Sequence, residues 1–200
     1  MPSNSEPIVQ HLRHDFDTLL TYVTGPDAAT QTAYTVELTL FRQLLALGAS
    51  LLRLFFVTRA AERPAAPEPT PGGPQLTYHD CRPITYSSIF GKVRFARHSF
   101  AAPGHPGCCP LDAALSLPER CYSDLLREWA AFGTTDESYR ESQTGLSRIL
   151  GHHLSLQAIE TGVREDALDV TPFYEQPPES CTPLPLGSIL VHFGSIIAVE

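Results

Sequence analysis

Lys92-Val93-Arg94-Phe95-Ala96-Arg97-His98 alternates polar and apolar residues in twos, and the rest of the chain falls into place around it. A period of two sends successive side chains to opposite faces of a strand. Val93 and Phe95, joined by Phe100, are therefore expected to face a core, while Lys92, Arg94 and His98 face away. Upstream, Leu76-Thr77-Tyr78-His79 and Ile84-Thr85-Tyr86 are rich in strand formers, and Phe90-Gly91 supplies a turn. These stretches predict a two- or three-stranded antiparallel ribbon over 76–100. Pro103-Gly104-His105-Pro106-Gly107 should end it as a loop.

On both sides of the ribbon the period becomes helical. Ile8, Leu12, Phe16, Leu19 and Val23 recur every three or four residues, and Gly25-Pro26 stops that helix. A second helix is expected from about Ala28 to Ala61, with Leu38, Phe41, Leu45, Leu52 and Phe56 along a wide apolar stripe. Gly48 in its middle costs about 1 kcal/mol against Ala, which suggests close approach of another backbone. The segment 38–57 is long enough to span a membrane, but Arg42, Gln43 and Arg53 within it favour a packed helix. Residues 64–75 hold five Pro and two Gly and read as a semi-extended linker. Beyond the ribbon, Ser123 to Phe132 forms a helix with Leu125, Leu126 and Trp129 apolar. Thr135 or Asp136 caps a second helix that ends at Gly151, and Ser155 caps a third beginning at Leu156.

The expected fold is mainly α with a small antiparallel β-ribbon, an α+β class. The parts are a helical hairpin (1–63), the linker (64–75), a basic ribbon (76–110), a trihelical, helix-turn-helix-like region (111–170) and an acidic tail (171–200).

The chain has 14 basic and 22 acidic residues, a formal net charge of -8, which excludes a uniformly basic coat for nucleic acid. The charge is uneven, however. Residues 165–200 hold six acids and no base, whereas the ribbon carries Arg82, Lys92, Arg94 and Arg97 against Asp80 alone. Cations on a strand pair suit a phosphate backbone, and four phosphate contacts would give a log–log salt slope of roughly -3.6. Gln157 and Arg164, on the third helix of the trihelical region, are the weaker base-side candidates. An ordinary solvated strand face is the competing interpretation of the same charges.

Zinc is not expected. His98, His105, Cys108 and Cys109 lie close in sequence, but adjacent cysteines are poorly placed for one tetrahedral ion. Five cysteines and no apolar leader point to a reducing cytoplasm. A nucleophile elbow, a phosphate-binding loop and a zinc-protease helix are all missing from the sequence.

Several motifs occur in an order that carries a resemblance. They are Leu40-Phe41-Arg42-Gln43-Leu44-Leu45-Ala46-Leu47-Gly48, Tyr86-Ser87-Ser88-Ile89-Phe90-Gly91-Lys92-Val93, Cys109-Pro110-Leu111-Asp112-Ala113, Leu117-Pro118 and Tyr122-Ser123-Asp124-Leu125-Leu126. Ser138-Tyr139-Arg140-Glu141-Ser142 and Leu146 to Gly151 continue the series. Over roughly 35–191 the chain resembles the N-terminal half of ISKra-type insertion-sequence transposases, relatives of the broader ISLre-like group. The resemblance implies binding of transposon ends by the ribbon and helical region. It also implies a following RNase H-like domain whose three carboxylates hold two divalent ions such as Mg. Here the strand Ser188-Ile189-Leu190-Val191 is followed by His192-Phe193-Gly194 and not by the family's Asp-Gly. The expectation is therefore a truncated or frameshifted fragment without strand-transfer activity and without a cofactor. Its partners would be DNA and intact transposase or a second copy; no membrane is expected. The alternative is a protein-interaction module, or a decayed product, that oligomerises through the Leu-rich helix.

Overall fold

The computed structural model describes residues 5–68 and 73–169. The acidic tail at 171–200, with the strand expected at 188–191, lies outside the described residues. Of the described residues, those up to Gly162 belong to one compact unit and those from Val163 to Asp169 to a second. The architecture is mainly helical with one three-stranded antiparallel sheet in the order β1-β2-β3.

Helix α1 (Ser5–Thr24) buries Leu12 and Leu19 and packs on α3. It ends at Gly25, where an added Cβ would lie 2.7 Å from the Thr21 carbonyl oxygen. The next helix does not begin near Ala28, as the apolar stripe suggested. A single turn, α2 (Pro26–Ala29), comes first, and α3 spans Ala33–Ala60. The reason is local. Thr32 adopts an extended backbone and its hydroxyl accepts from the Thr35 amide at 3.3 Å, so a new N-terminus forms there. Among the described residues α3 is the one helix long and apolar enough to cross a membrane, with a mean hydropathy of 1.6 in its most apolar stretch.

Strands β1 (Thr77–Ser88) and β2 (Gly91–Ala102) form a long hairpin. Its two-residue tip, Ile89-Phe90, is braced by Ser88, whose hydroxyl donates to the Gly91 carbonyl and accepts from the Phe90 amide. Gly91 holds φ at +109°, a region that Gly enters without the steric cost a Cβ brings. Strand β3 (His105–Cys108) pairs with β2 inside the stretch expected to be a loop. Gly104, at φ +74°, lets the chain reverse tightly enough to add it.

The core lies between α3 and this sheet. Phe56, Ile84, Val93 and Phe95 are buried together, and the Phe56 ring stacks on Phe95 with centroids 4.3 Å apart. Tyr86 meets Phe56 edge-on at 5.1 Å. Val93 and Phe95 are buried, as the alternation predicted. Phe100 is buried as well, although strict alternation would set it on the face of His98, and it lies beyond a register shift between Tyr78 and Asp80. Gly48 does not admit a backbone. What it admits is the Phe90 side chain, whose ring an added Cβ would meet at 2.5 Å. The hairpin tip is thereby seated on the middle of α3.

Short helix α4 (Pro110–Ala114) also packs on β2. Helix α5 (Asp124–Asp136) starts at Ser123 and runs four residues past Phe132. Ser123 joins it to the sheet, because its amide donates to the Ser87 carbonyl while the Ser87 amide donates to the Cys121 carbonyl. The cap of α6 (Tyr139–Leu150) is Ser138, and not Thr135 or Asp136. Glu141 completes a reciprocal capping box with Ser138, and those hydrogen bonds hold its carboxyl below the usual carboxylate range. Gly151 ends α6 in the left-handed conformation, and the Ser155 hydroxyl accepts from Ala158 at the start of α7 (Leu156–Asp166). Leu126, Ala130, Leu146, Leu150, Leu154 and Ile159 are buried in this region, while Leu125 and Trp129 lie on its outside. From Val163 the described residues comprise the last turn of α7 and a 3-10 turn, Ala167–Asp169.

Candidate nucleic-acid interface

The register of the hairpin decides where its cations point. Directly opposed residues share a face. Tyr86 with Val93, Ile84 with Phe95 and Arg82 with Arg97 share one face, and this is the face that carries the core. Ser87 with Lys92, Thr85 with Arg94 and Cys81 with His98 share the other. The four cations expected to act together are thus divided two and two.

On the core-facing side both arginines have acidic partners. The Arg97 guanidinium is paired with Asp112 of α4, the two side chains being only 20% and 32% exposed. Arg82 Nε lies 3.2 Å from Asp80 Oδ1, and His79 approaches the same carboxylate at 3.5 Å. The sequence carried the clue for Arg97, which is two residues from Phe95 and therefore on Phe95's side. On the outer face Lys92 and Arg94 are exposed and have no ion pair among the described residues. The hydroxyl-bearing Ser87 and Thr85 stand opposite them. This is the part of the ribbon able to meet phosphates.

His98 was expected to face solvent but is half-buried. Its Nδ1 lies 3.4 Å from Cys81 Sγ, and its ring contacts Tyr78, over which the Arg63 guanidinium sits at 3.7 Å. His105 is exposed at the start of β3, Cys108 is half-buried at its end, and Cys109 precedes the first turn of α4. Burial, followed by the neighbouring Cys109, pushes the Cys108 thiol up. Among the described residues no three His, Cys, Asp or Glu side chains converge as metal ligands. Gln157 is exposed in the first turn of α7 and Arg164 is exposed in its last.

Two further cations were not singled out from the sequence. Arg42 of α3 and Arg148 of α6 line one groove with Phe90 and Gly91 at the hairpin tip, next to Lys92. They are far apart in the chain, and nothing short of the tertiary fold brings them together. Gly48, the recipient of Phe90, was the one available hint.

No protein-family model matches the chain, and no solved structure matches it. A stretch of 100 residues is 30% identical to the "UPF0236 protein in vanSb 3'region" of Streptococcus gallolyticus. That stretch is 50% of this chain and 22% of the Streptococcus protein, so the likeness covers about a fifth of the relative's length.

Proposed function

We propose that this chain is a DNA-binding module of an ISKra-type insertion-sequence transposase, engaging transposon ends through the outer face of the ribbon. The ordered motifs from Leu40 to Gly151 support the family. The observation that carries the binding is the pair Lys92 and Arg94, exposed on one strand face without acidic partners. The module binds; no cofactor and no bond-breaking step is assigned to it. With two phosphates neutralised in place of four, the salt slope expected of the ribbon falls to roughly -1.8.

The test is fluorescence anisotropy of the full chain against duplex from the element's own terminal repeats, with a scrambled duplex beside it, at several salt concentrations. Tighter binding to the terminal duplex, weakened when Lys92 and Arg94 are both changed to Ala, supports the reading. Equal binding to both duplexes, or binding indifferent to salt and to the double change, overturns it.

A second reading is favoured by one observation. Phe41, Leu44, Leu51 and Phe55 are large, apolar and 43–55% exposed on α3, and their spacing is that of a heptad seam. In this reading the chain is an interaction module that pairs through α3. Light scattering separates the two. A dimer converted to monomer by Leu51→Glu supports pairing, and a monomer at all concentrations removes it.

A further inference from the structure

We propose that the groove between α3, the hairpin tip and the C-terminal end of α6 binds an unpaired nucleotide, with the base against Phe90 and the phosphate between Arg42 and Arg148. The proposal takes the nature of the polymer from the reading above, but its contacts are separate from those of Lys92 and Arg94.

Three observations converge on this groove. The first is its charge. Arg42 and Arg148 enter it from different helices, no acidic residue lines it, and neither arginine has an ion pair among the described residues. Two uncompensated guanidiniums at one opening attract an anion and offer planar, paired donors to phosphate oxygens. The second is its floor. Phe90 is 36% exposed, and its ring is held in place by contact with Gly48. Phe41 and Leu45 continue the apolar lining. A fixed aromatic surface beside cations is the arrangement on which single-stranded bases stack. The third is His152. Its Nδ1 lies 3.2 Å from the Leu150 carbonyl and donates to it in the matching tautomer, which leaves Nε2 as an acceptor without a partner. That nitrogen is closed to solvent, so an exocyclic amino group of a base supplies the missing donor once the imidazole turns toward the groove.

Size and position agree with this assignment. The cavity is about 670 Å³, within the range of sites that take one small molecule or one nucleotide. Lys92 follows Gly91 directly, so a strand leaving a duplex on the outer face of the ribbon reaches the groove at the hairpin tip. A duplex base pair cannot enter such a pocket; an unpaired end can.

The experiment compares a blunt duplex with the same duplex carrying a four-nucleotide overhang that contains 2-aminopurine, both titrated with the full chain. The overhang is expected to tighten binding about tenfold, the scale of one stacked base, and its fluorescence is expected to be quenched. The double variant Arg42→Ala with Arg148→Ala should abolish that advantage and leave blunt-duplex affinity unchanged. Lys92→Ala with Arg94→Ala should weaken both duplexes and preserve their ratio. Phe90→Leu keeps an apolar side chain on Gly48 and should lose the quenching. Circular dichroism of each variant checks that it remains folded. Equal wild-type binding to tailed and blunt duplexes, or an arginine double variant that weakens both alike, overturns the proposal. Should the blunt duplex not bind at all, the ribbon reading fails by itself. A single-stranded oligonucleotide then decides the groove, supporting it if Arg42 and Arg148 are needed for binding and removing it if nothing binds.

Discussion

Arg94 and Arg97 are three residues apart on β2, carry the same side chain, and live in different surroundings. Arg97 points to the side of Phe95 and is closed off by Asp112 of α4. Arg94 points away, across from Thr85, and meets no carboxylate among the described residues. The difference teaches that a count of positive charges overstates a binding surface when the strand has a buried face. Cations on that face need counter-charges to be tolerated near the core. Cations on the other face remain available. A local charge of about +3 along the ribbon therefore reduces to two side chains free to bind.

Neighbouring substitutions test this contrast most severely. Phe95→Ala removes a ring stacked on Phe56 and is expected to destabilise by about 3–5 kcal/mol, whereas Arg94→Ala beside it should stay within about 0.5 kcal/mol. Chemical denaturation of the two variants makes the comparison, and similar losses would show that the two faces are not distinct. Arg97→Ala is expected to fall between, at about 1–2 kcal/mol. It strands the Asp112 carboxylate in a half-covered site, which costs more than a surface pair and less than a buried one. If the chain binds DNA as proposed, the same variant should leave the salt slope of that binding where it was; a slope reduced by about one would return Arg97 to the proposed interface.

The smallest effect is expected at Glu141. Its carboxyl is held below its ordinary value by hydrogen bonds from the Ser138 hydroxyl and amide. A carboxylate with a depressed folded-state value stabilises the fold above its unfolded value, and that contribution disappears as pH falls through the folded value. Thermal melts of Glu141→Gln should therefore lie below wild type at neutral pH and converge with it in acid. A gap independent of pH would mean that the charge of Glu141 is irrelevant to the cap.

Much of the fold is legible in the sequence because it follows from local rules. Alternation located β2 and its buried residues, Gly25-Pro26 ended α1, and Gly151 and Ser155 bounded the last two helices. The misplaced boundaries came from choosing among several polar residues. Thr32 outcompetes the helix-like pattern running from Ala28, and Ser138 is preferred to Thr135 and Asp136 because Glu141 stands three residues after it. Strand β3 escaped notice because a Pro-Gly-rich stretch reads as loop until β2 offers it an edge. The candidate site was legible only in part. Lys92 and Arg94 follow from the alternation itself, whereas Arg42, Phe90 and Arg148 meet through contacts that no periodicity encodes.

The bonding of Ser87 has a consequence for how copies of this chain can associate. β1 is an edge strand, and edge strands invite another sheet to extend them. At Ser87 both backbone groups are already used, the amide by Cys121 and the carbonyl by Ser123. Further along β1, Pro83 has no amide to offer. On the opposite margin β3, with Pro106 in it, covers only the end of β2 at Phe100 and Ala102, and among the described residues no strand lies beside β2 from Lys92 to Ala96. The β1 margin therefore cannot template an incoming strand along its length, and strand addition to this sheet is confined to the stretch of β2 that β3 leaves uncovered.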